Sequence, residues 1–201
     1  MKKIIIIMIS IFFIGINIVY AKETVKFSKC VDGDTFKVTI DDKEYTIRML
    51  AIDTPESVKS NTEVEYYGKE SSEYTCKKLT NAKKIELEYD SNSDKLDKYD
   101  RLLAWVFVDD KLLQEELVTK GYAKVAYLYN DYKYTNILQE KQELASAKSI
   151  GIWDSTAKRE YEQKLKEEPS KEKHESTEII VVTIIFLIIT FITSIINKIK
   201  K

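Results

Sequence analysis

From Val25 to Ile52 polar and apolar residues alternate through three runs, VKFSKCV, TFKVTI and EYTIRMLAI, separated by DGD and DDK. A period of two sends successive side chains to opposite faces, so each run can bury one face of a strand. The Asp- and Gly-bearing breaks read as tight turns between antiparallel neighbours. The first third of the body is therefore expected to be a β-meander, and its chemistry has to be mounted on a sheet.

Two later runs, IELEY (85–89) and LLAWVFV (102–108), add strands on either side of the polar loop SNSDKLDKYD, with a turn at Asp109 and Asp110. Between and after them the period lengthens. Tyr66 to Lys84 sets Tyr67, Ser71, Tyr74 and Lys78 on one helical face, with Leu79 beside it. LLQEELVTKGYA sets Leu112, Leu113, Leu117 and Val118 on a stripe ended by Gly121, and TNILQEKQELASAKSIGIW does the same with Ile137, Leu138, Leu144, Ala145 and Gly151. Five strands and three helices make one domain of ordinary size, compatible with a small closed barrel.

The ends differ from this body. MKKIIIIMISIFFIGINIVYA (1–21) has two lysines, an apolar run and a small residue at Ala21, the pattern of a signal peptide; an uncleaved anchor would leave the body on the same side. Ile179 to Ile196 carries no charge, and as a helix it would span about 27 Å, close to a hydrocarbon core. The basic tail NKIKK (197–201) should stay cytoplasmic, which makes residues 22–178 extracytoplasmic. The stretch 155–178 is densely charged and reads as a solvated stalk that could also continue the last helix as a frayed end.

Five of the 32 basic residues (Lys2, Lys3, Lys198, Lys200, Lys201) lie in the ends, so 27 remain against 33 acidic ones, a net charge of −6. Such a body is a poor generic polyanion binder, and a nucleic-acid partner would need a bound cation and a few placed arginines. Cys30 and Cys76 are too few for a disulfide framework, and the sequence leans against their pairing. The single histidine, His174, lies in the stalk, so catalysis built on Ser-His-Asp, Cys-His or His-ligated zinc has no histidine to use.

What remains is carboxylates and arginines. DGDT (32–35) and IDTPE (52–56) each adjoin a strand, and Asp34 and Asp53 can meet at one end of a sheet with Glu56 a turn away. Hard oxygen ligands suit Ca2+ or Mg2+. Each motif alone reads more readily as an acidic turn, with Pro55 fixing the backbone. Arg48, on the strand entering IDTPE, and Arg101, in DKYDR, can each donate two parallel hydrogen bonds to a phosphate or form a plain surface ion pair.

Taken in register, DGDT, RMLAIDTPE, DKYDR with LLAWVF, KLLQEELVTKGYAKVAYLY and GIW resemble the thermonuclease family, the staphylococcal-nuclease-like phosphodiesterases, over roughly Lys26 to Trp153. The resemblance implies an α+β fold, an OB-type five-stranded β-barrel with three helices, occupying residues 22–154. It also implies a Ca2+-dependent nuclease, monomeric, that cuts DNA and RNA, single-stranded or frayed by preference, with little sequence preference and 3′-phosphorylated products. Asp34 and Asp53 would hold the cation with the Thr54 carbonyl, Glu56 would hold or deprotonate the attacking water, and Arg48 and Arg101 would grip phosphate. Lys98, Tyr99, Tyr127 and Tyr129 match positions that contact the nucleotide, although paired tyrosines also serve as half-buried packing.

The sequence departs from the family in one place: Asp100 stands where family members have glycine before the second arginine. Aspartate tolerates left-handed backbone, but its charge is expected to compete with phosphate for Arg101. The ends add a tether to this expectation, an enzyme held at the membrane by its C-terminal helix. The alternative is a non-catalytic OB-type nucleic-acid-binding module on the cell surface.

Overall fold

The computed structural model describes residues 22–57, 64–166 and Thr183. The expected signal peptide 1–21, the basic tail 197–201 and, Thr183 apart, the expected membrane helix 179–196 lie outside the described residues, as does the expected stalk beyond residue 166. Among the described residues no helix is long and apolar enough to cross a membrane. The chain divides into two compact units, 1–151 and 152–201.

In the first unit the meander is present as β1 (Glu23–Cys30), β2 (Thr35–Ile40) and β3 (Lys43–Met49), each antiparallel to the next. Asp41 and Asp42 both take positive φ, 46° and 61°, the backbone of a two-residue turn whose twist matches its strands. Asp109 and Asp110 repeat this at 49° and 66° between β6 (Leu102–Val108) and β7 (Lys111–Leu112). Two adjacent aspartates fit such turns because a short polar side chain tolerates left-handed backbone.

β5 (Ile85–Glu88) pairs antiparallel with both β1 and β6, and β6 then pairs in parallel with β3 through Ile47↔Leu102, Arg48↔Leu103 and Met49↔Ala104. That last ladder closes β3-β2-β1-β5-β6 into the five-stranded barrel expected of an OB-type fold. Phe36, Val38, Ile47, Leu87, Ala104 and Val106 point into its interior and are fully buried. A short second ladder joins β4 (Ile52–Asp53) to β8 (Lys124–Val125), with Asp53 directly opposite Lys124.

Three helices follow: α1 (Gly68–Thr80), α2 (Leu113–Thr119) and α3 (Thr135–Ala147). The expected stripe on α2 and the residue before it holds, with Leu112, Leu113, Leu117 and Val118 all buried. Gln114 is buried with them, where its Nε2 donates to the Ala104 carbonyl at 3.0 Å and its Oε1 accepts from the Val106 amide at 3.1 Å. The helix thus pairs the Val106 amide of β6 and adds a second donor to the Ala104 carbonyl, which the Leu50 amide also reaches at 3.1 Å.

The stripe on α3 is narrower than the periodicity suggests. Leu138 and Ala145 are buried, but Ile137 and Leu144 stay 36% and 49% exposed. The helix also stops at Ala147, before Gly151, because Ser149 turns left-handed at φ 52° and its amide and that of Ile150 return to Ser146 and Ala145 carbonyls. Gly151 has a different use. A Cβ on it would lie 2.2 Å from the Gly121 carbonyl oxygen, so the two glycines let two backbone segments touch.

Contrary to the sequence reading, Cys30 and Cys76 are bonded, with a Cα–Cα separation of 5.6 Å. The end of β1 and the middle of α1 meet only because the helix packs on the barrel, which no local pattern reports. In the second unit, residues 155–166 are helical, and Asp154 Oδ1 caps the Thr156 and Ala157 amides. This part of the expected stalk is a separate helix with its own start and is not a continuation of α3.

Candidate active site

The loop joining β1 to β2 delivers Asp34, which is 6% exposed. Its Oδ1 accepts from the Thr35 hydroxyl at 2.9 Å, and its Oδ2 accepts from the Thr54 amide at 3.1 Å and faces Arg48 Nη2 at 3.1 Å. Burial pushes the Asp34 carboxyl above its ordinary pKa, against the pull of Arg48 and the hydrogen bonds from Thr54 and Thr35. The loop itself is tightly held. Thr75 of α1 donates to the Gly33 carbonyl at 2.6 Å, and a Cβ on Gly33 would meet Thr54 Oγ1 at 2.6 Å.

Asp53 sits in β4, one tight turn after β3, and that turn puts Ala51 at φ 60°. Left-handed alanine carries strain that the flanking ladders outweigh, and the turn brings the Asp53 carboxylate towards Asp34. Arg48 lies between the two. Its Nη1 donates to the Met49 and Ile52 carbonyls at 2.8 and 2.9 Å, while Nη2 faces Asp34 and, at 3.5 Å, Asp53 Oδ1. Asp53 has two further partners: Lys124 Nζ at 3.0 Å from Oδ2 and the Tyr127 hydroxyl at 3.4 Å from Oδ1. The Asp53 charge raises the Tyr127 phenol above its ordinary pKa, with help from partial desolvation, so the ring keeps its proton.

The Arg101 guanidinium is held by Asp97, not by its neighbour Asp100. Nε and Nη2 reach Asp97 Oδ2 at 2.7 and 2.6 Å, and Asp97 Oδ1 accepts from the Tyr99 and Arg101 amides at 2.9 and 3.0 Å. Desolvation works to raise the Asp97 carboxyl, but these hydrogen bonds win and hold it below the usual carboxylate range. Asp100 does adopt the left-handed turn expected of it, at φ 59°, and forms no ion pair among the described residues. The competitor expected at Asp100 is therefore four residues upstream of Arg101, where one carboxylate both closes the loop and aims the guanidinium.

These groups face one cleft of about 900 Å³, lined among others by Asp34, Arg48, Asp53, Glu56, Lys98, Tyr99, Arg101, Tyr127 and Tyr129. Thr54 lies behind the wall at 5% exposure, and its Oγ1 has no hydrogen-bond partner. Tyr99, Tyr127 and Tyr129 are 66%, 52% and 78% exposed, which rules out the half-buried packing that a tyrosine pair could otherwise serve. The Arg101 guanidinium and the Lys98 ammonium both lie over the Tyr99 ring, 5.4 and 4.9 Å from its centroid. Glu56 is positioned by backbone contact: its carbonyl accepts from the Glu65 amide at 3.0 Å and lies 2.3 Å from where a Cβ on Gly68 would be.

Among the described residues no three His, Cys, Asp or Glu side chains gather into a metal cluster. The donor set is instead two carboxylates, Asp34 and Asp53, with Thr54 beside them, and the open cleft leaves room for water or phosphate oxygens. A buried carboxylate that is poorly solvated and an all-oxygen donor set fit a hard divalent cation such as Ca2+. Asp97 and Lys124 are site residues that the sequence reading missed. Asp97 could have been found from its Asx-turn spacing to Tyr99. Lys124 carries no local signal, because only the β4–β8 register places it.

A family model described as "Staphylococcal nuclease homologue" matches residues 46–155. The chain is 43% identical over 130 residues to the SPbeta prophage-derived endonuclease YokF of Bacillus subtilis (strain 168), covering 64% of this chain and 43% of that one. It is 38% identical over 134 residues to the thermonuclease of Staphylococcus hyicus, covering 67% and 78%. With the endonuclease YncB of Bacillus subtilis (strain 168) it shares 41% identity over 133 residues, 66% and 62% of the two chains. It thus spans less than half of YokF and more than three quarters of the S. hyicus protein.

Proposed function

The chain belongs to the staphylococcal nuclease homologue family, and from that premise we propose that it is a Ca2+-dependent nuclease hydrolysing DNA and RNA with little sequence preference. The observation that carries the proposal is that Asp34, Arg48, Asp53, Glu56 and Arg101, which come from separate parts of the sequence, line one cleft. Its relatives are named thermonuclease and endonuclease.

A phosphodiester is already anionic, so attack by water needs charge neutralised at the phosphoryl oxygens. Asp34, Asp53 and the Thr54 carbonyl would hold the cation, which would supply Lewis acidity there when bound. Arg101, aimed by Asp97, donates its remaining N–H groups to the phosphate. Glu56 accepts a hydrogen bond from the attacking water and takes its proton as the new P–O bond forms. The P–O5′ bond breaks, the 5′ oxygen leaves with a proton taken from solvent water in the open cleft, and a 3′-phosphate remains. Arg48 holds the two cation-binding carboxylates together and, from the cleft wall, adds positive charge at the phosphate. Tyr99, Tyr127 and Tyr129 offer exposed faces to bases, which suits substrates whose bases are unstacked.

Export by the segment 1–21 and tethering by the segment 179–196 belong to the same proposal, supported by their charge and apolar patterns. The test is hydrolysis of single-stranded DNA with Ca2+, with chelator, and with Arg48→Ala or Glu56→Ala. Cation-dependent cleavage lost by at least a hundredfold in both variants is expected. Cleavage that survives chelation, or persists undiminished in both variants, refutes the mechanism.

A further inference from the structure

Asp34 and Asp53 carry two negative charges, and the protein already sets two positive charges against them. Arg48 Nη2 lies 3.1 Å from Asp34 Oδ2, and Lys124 Nζ lies 3.0 Å from Asp53 Oδ2. A divalent cation approaching this pair therefore meets two carboxylates each already countered by a protein cation, in a cleft that Asp32 and Glu56 also line, and one of the two protein cations has to give way for the ion to gain the full attraction of both carboxylates.

The two are not equally able to do so. The Arg48 side chain is 10% exposed, and Nη1 is committed to the Met49 and Ile52 carbonyls. The Lys124 side chain is 54% exposed, and among the described residues its ammonium has no partner but Asp53. It stands opposite Asp53 because β8 pairs with β4 in that register, while its four-carbon stem lets the ammonium swing into solvent without moving the strand.

We infer that Lys124 is a displaceable counter-ion of Asp53 that weakens the site for its divalent cation. The inference rests on the proposed cation-dependent reading of the cleft. Lys124 competes for the same carboxylate oxygen, so its charge lowers cation affinity and speeds release, and the site fills only where the cation is plentiful.

The experiment is calorimetric titration of the full chain with Ca2+, without nucleic acid, for the wild type, Lys124→Met, Lys124→Gln and Lys124→Arg. Removing a unit charge about 5 Å from a divalent ion in a water-like dielectric should tighten binding about tenfold at low salt. Lys124→Gln should move the same way, Lys124→Arg should stay near the wild type, and the difference should shrink as added salt screens the charge. Thermal unfolding of each variant confirms that a folded protein is titrated. If Lys124→Met and Lys124→Gln bind Ca2+ as the wild type does, or more weakly, the inference is overturned and the nuclease reading stands. If the wild type binds no Ca2+, both fall together.

Discussion

The Cys30–Cys76 bond should dominate the stability of the barrel domain. The bond closes a sequence separation of 46 residues that contains β2, β3, β4 and the first half of α1. Constraining an unfolded loop of that length is worth about 4 kcal/mol. For a domain of this size each kcal/mol moves the melting temperature by about 3–5 °C, so loss of the bond should lower it by roughly 12–20 °C. The assay is thermal unfolding followed by circular dichroism, with and without a thiol reductant, for the wild type and a Cys30→Ser/Cys76→Ser variant. Reductant should lower the wild-type melting temperature to that of the double variant and leave the variant itself unchanged. The loss has a local signature too, because Cys30 directly precedes the loop that carries Asp34, and Cys76 directly follows Thr75, which holds the Gly33 carbonyl. Amide exchange at Val31 and Asp32, both bonded to the Thr35 carbonyl, should therefore accelerate on reduction. A melting temperature that falls by less than about 3 °C on reduction would show that the unfolded chain is already constrained, and the loop-entropy reasoning would be wrong.

Asp97→Asn should cost about 1–2 kcal/mol at neutral pH and lower cleavage through a misplaced Arg101. Because the folded carboxyl titrates below its unfolded value, the stability gap between wild type and variant should be fully present above about pH 4 and close as pH falls through the depressed folded pKa; a gap that widens in acid contradicts this. Gln114→Leu leaves the buried Val106 amide without the Gln114 oxygen and the Ala104 carbonyl with the Leu50 amide alone, and should destabilise by about 1–3 kcal/mol in denaturant titration, whereas a loss below about 0.5 kcal/mol would mean that water replaces the side chain. Asp100→Gly, which on sequence grounds should lower KM by removing a competitor, should leave KM within about twofold because Asp97 is the carboxylate on Arg101; a KM several-fold lower at low salt would restore the original expectation.

How far the sequence reached depends on the range of the physics involved. Strand periodicity, the Asp-Asp turns and the apolar stripe of α2 are set by neighbours a few residues apart, and all of them are present in the fold. The α3 stripe is narrower than its spacing suggests, since Ile137 and Leu144 have the right period but stay partly exposed among the described residues. The types of the site residues were legible as well: oxygen donors at Asp34 and Asp53, a guanidinium at Arg48 and Arg101, and no histidine before the charged stretch 155–178. Their partners were not.

That division follows from what a linear pattern can encode. By itself the sequence determined which segments bury a face, where the chain turns, and which chemistry is excluded, because these depend on period, backbone preference and side-chain type. Only the tertiary structure decided that β3 and β6 close the barrel in parallel, that Cys30 meets Cys76, that Asp97 holds Arg101, and that Lys124 faces Asp53. Apart from the short Asp97 loop, each of these joins residues far apart in the chain, and such contacts are fixed by how the whole core packs and by strand register.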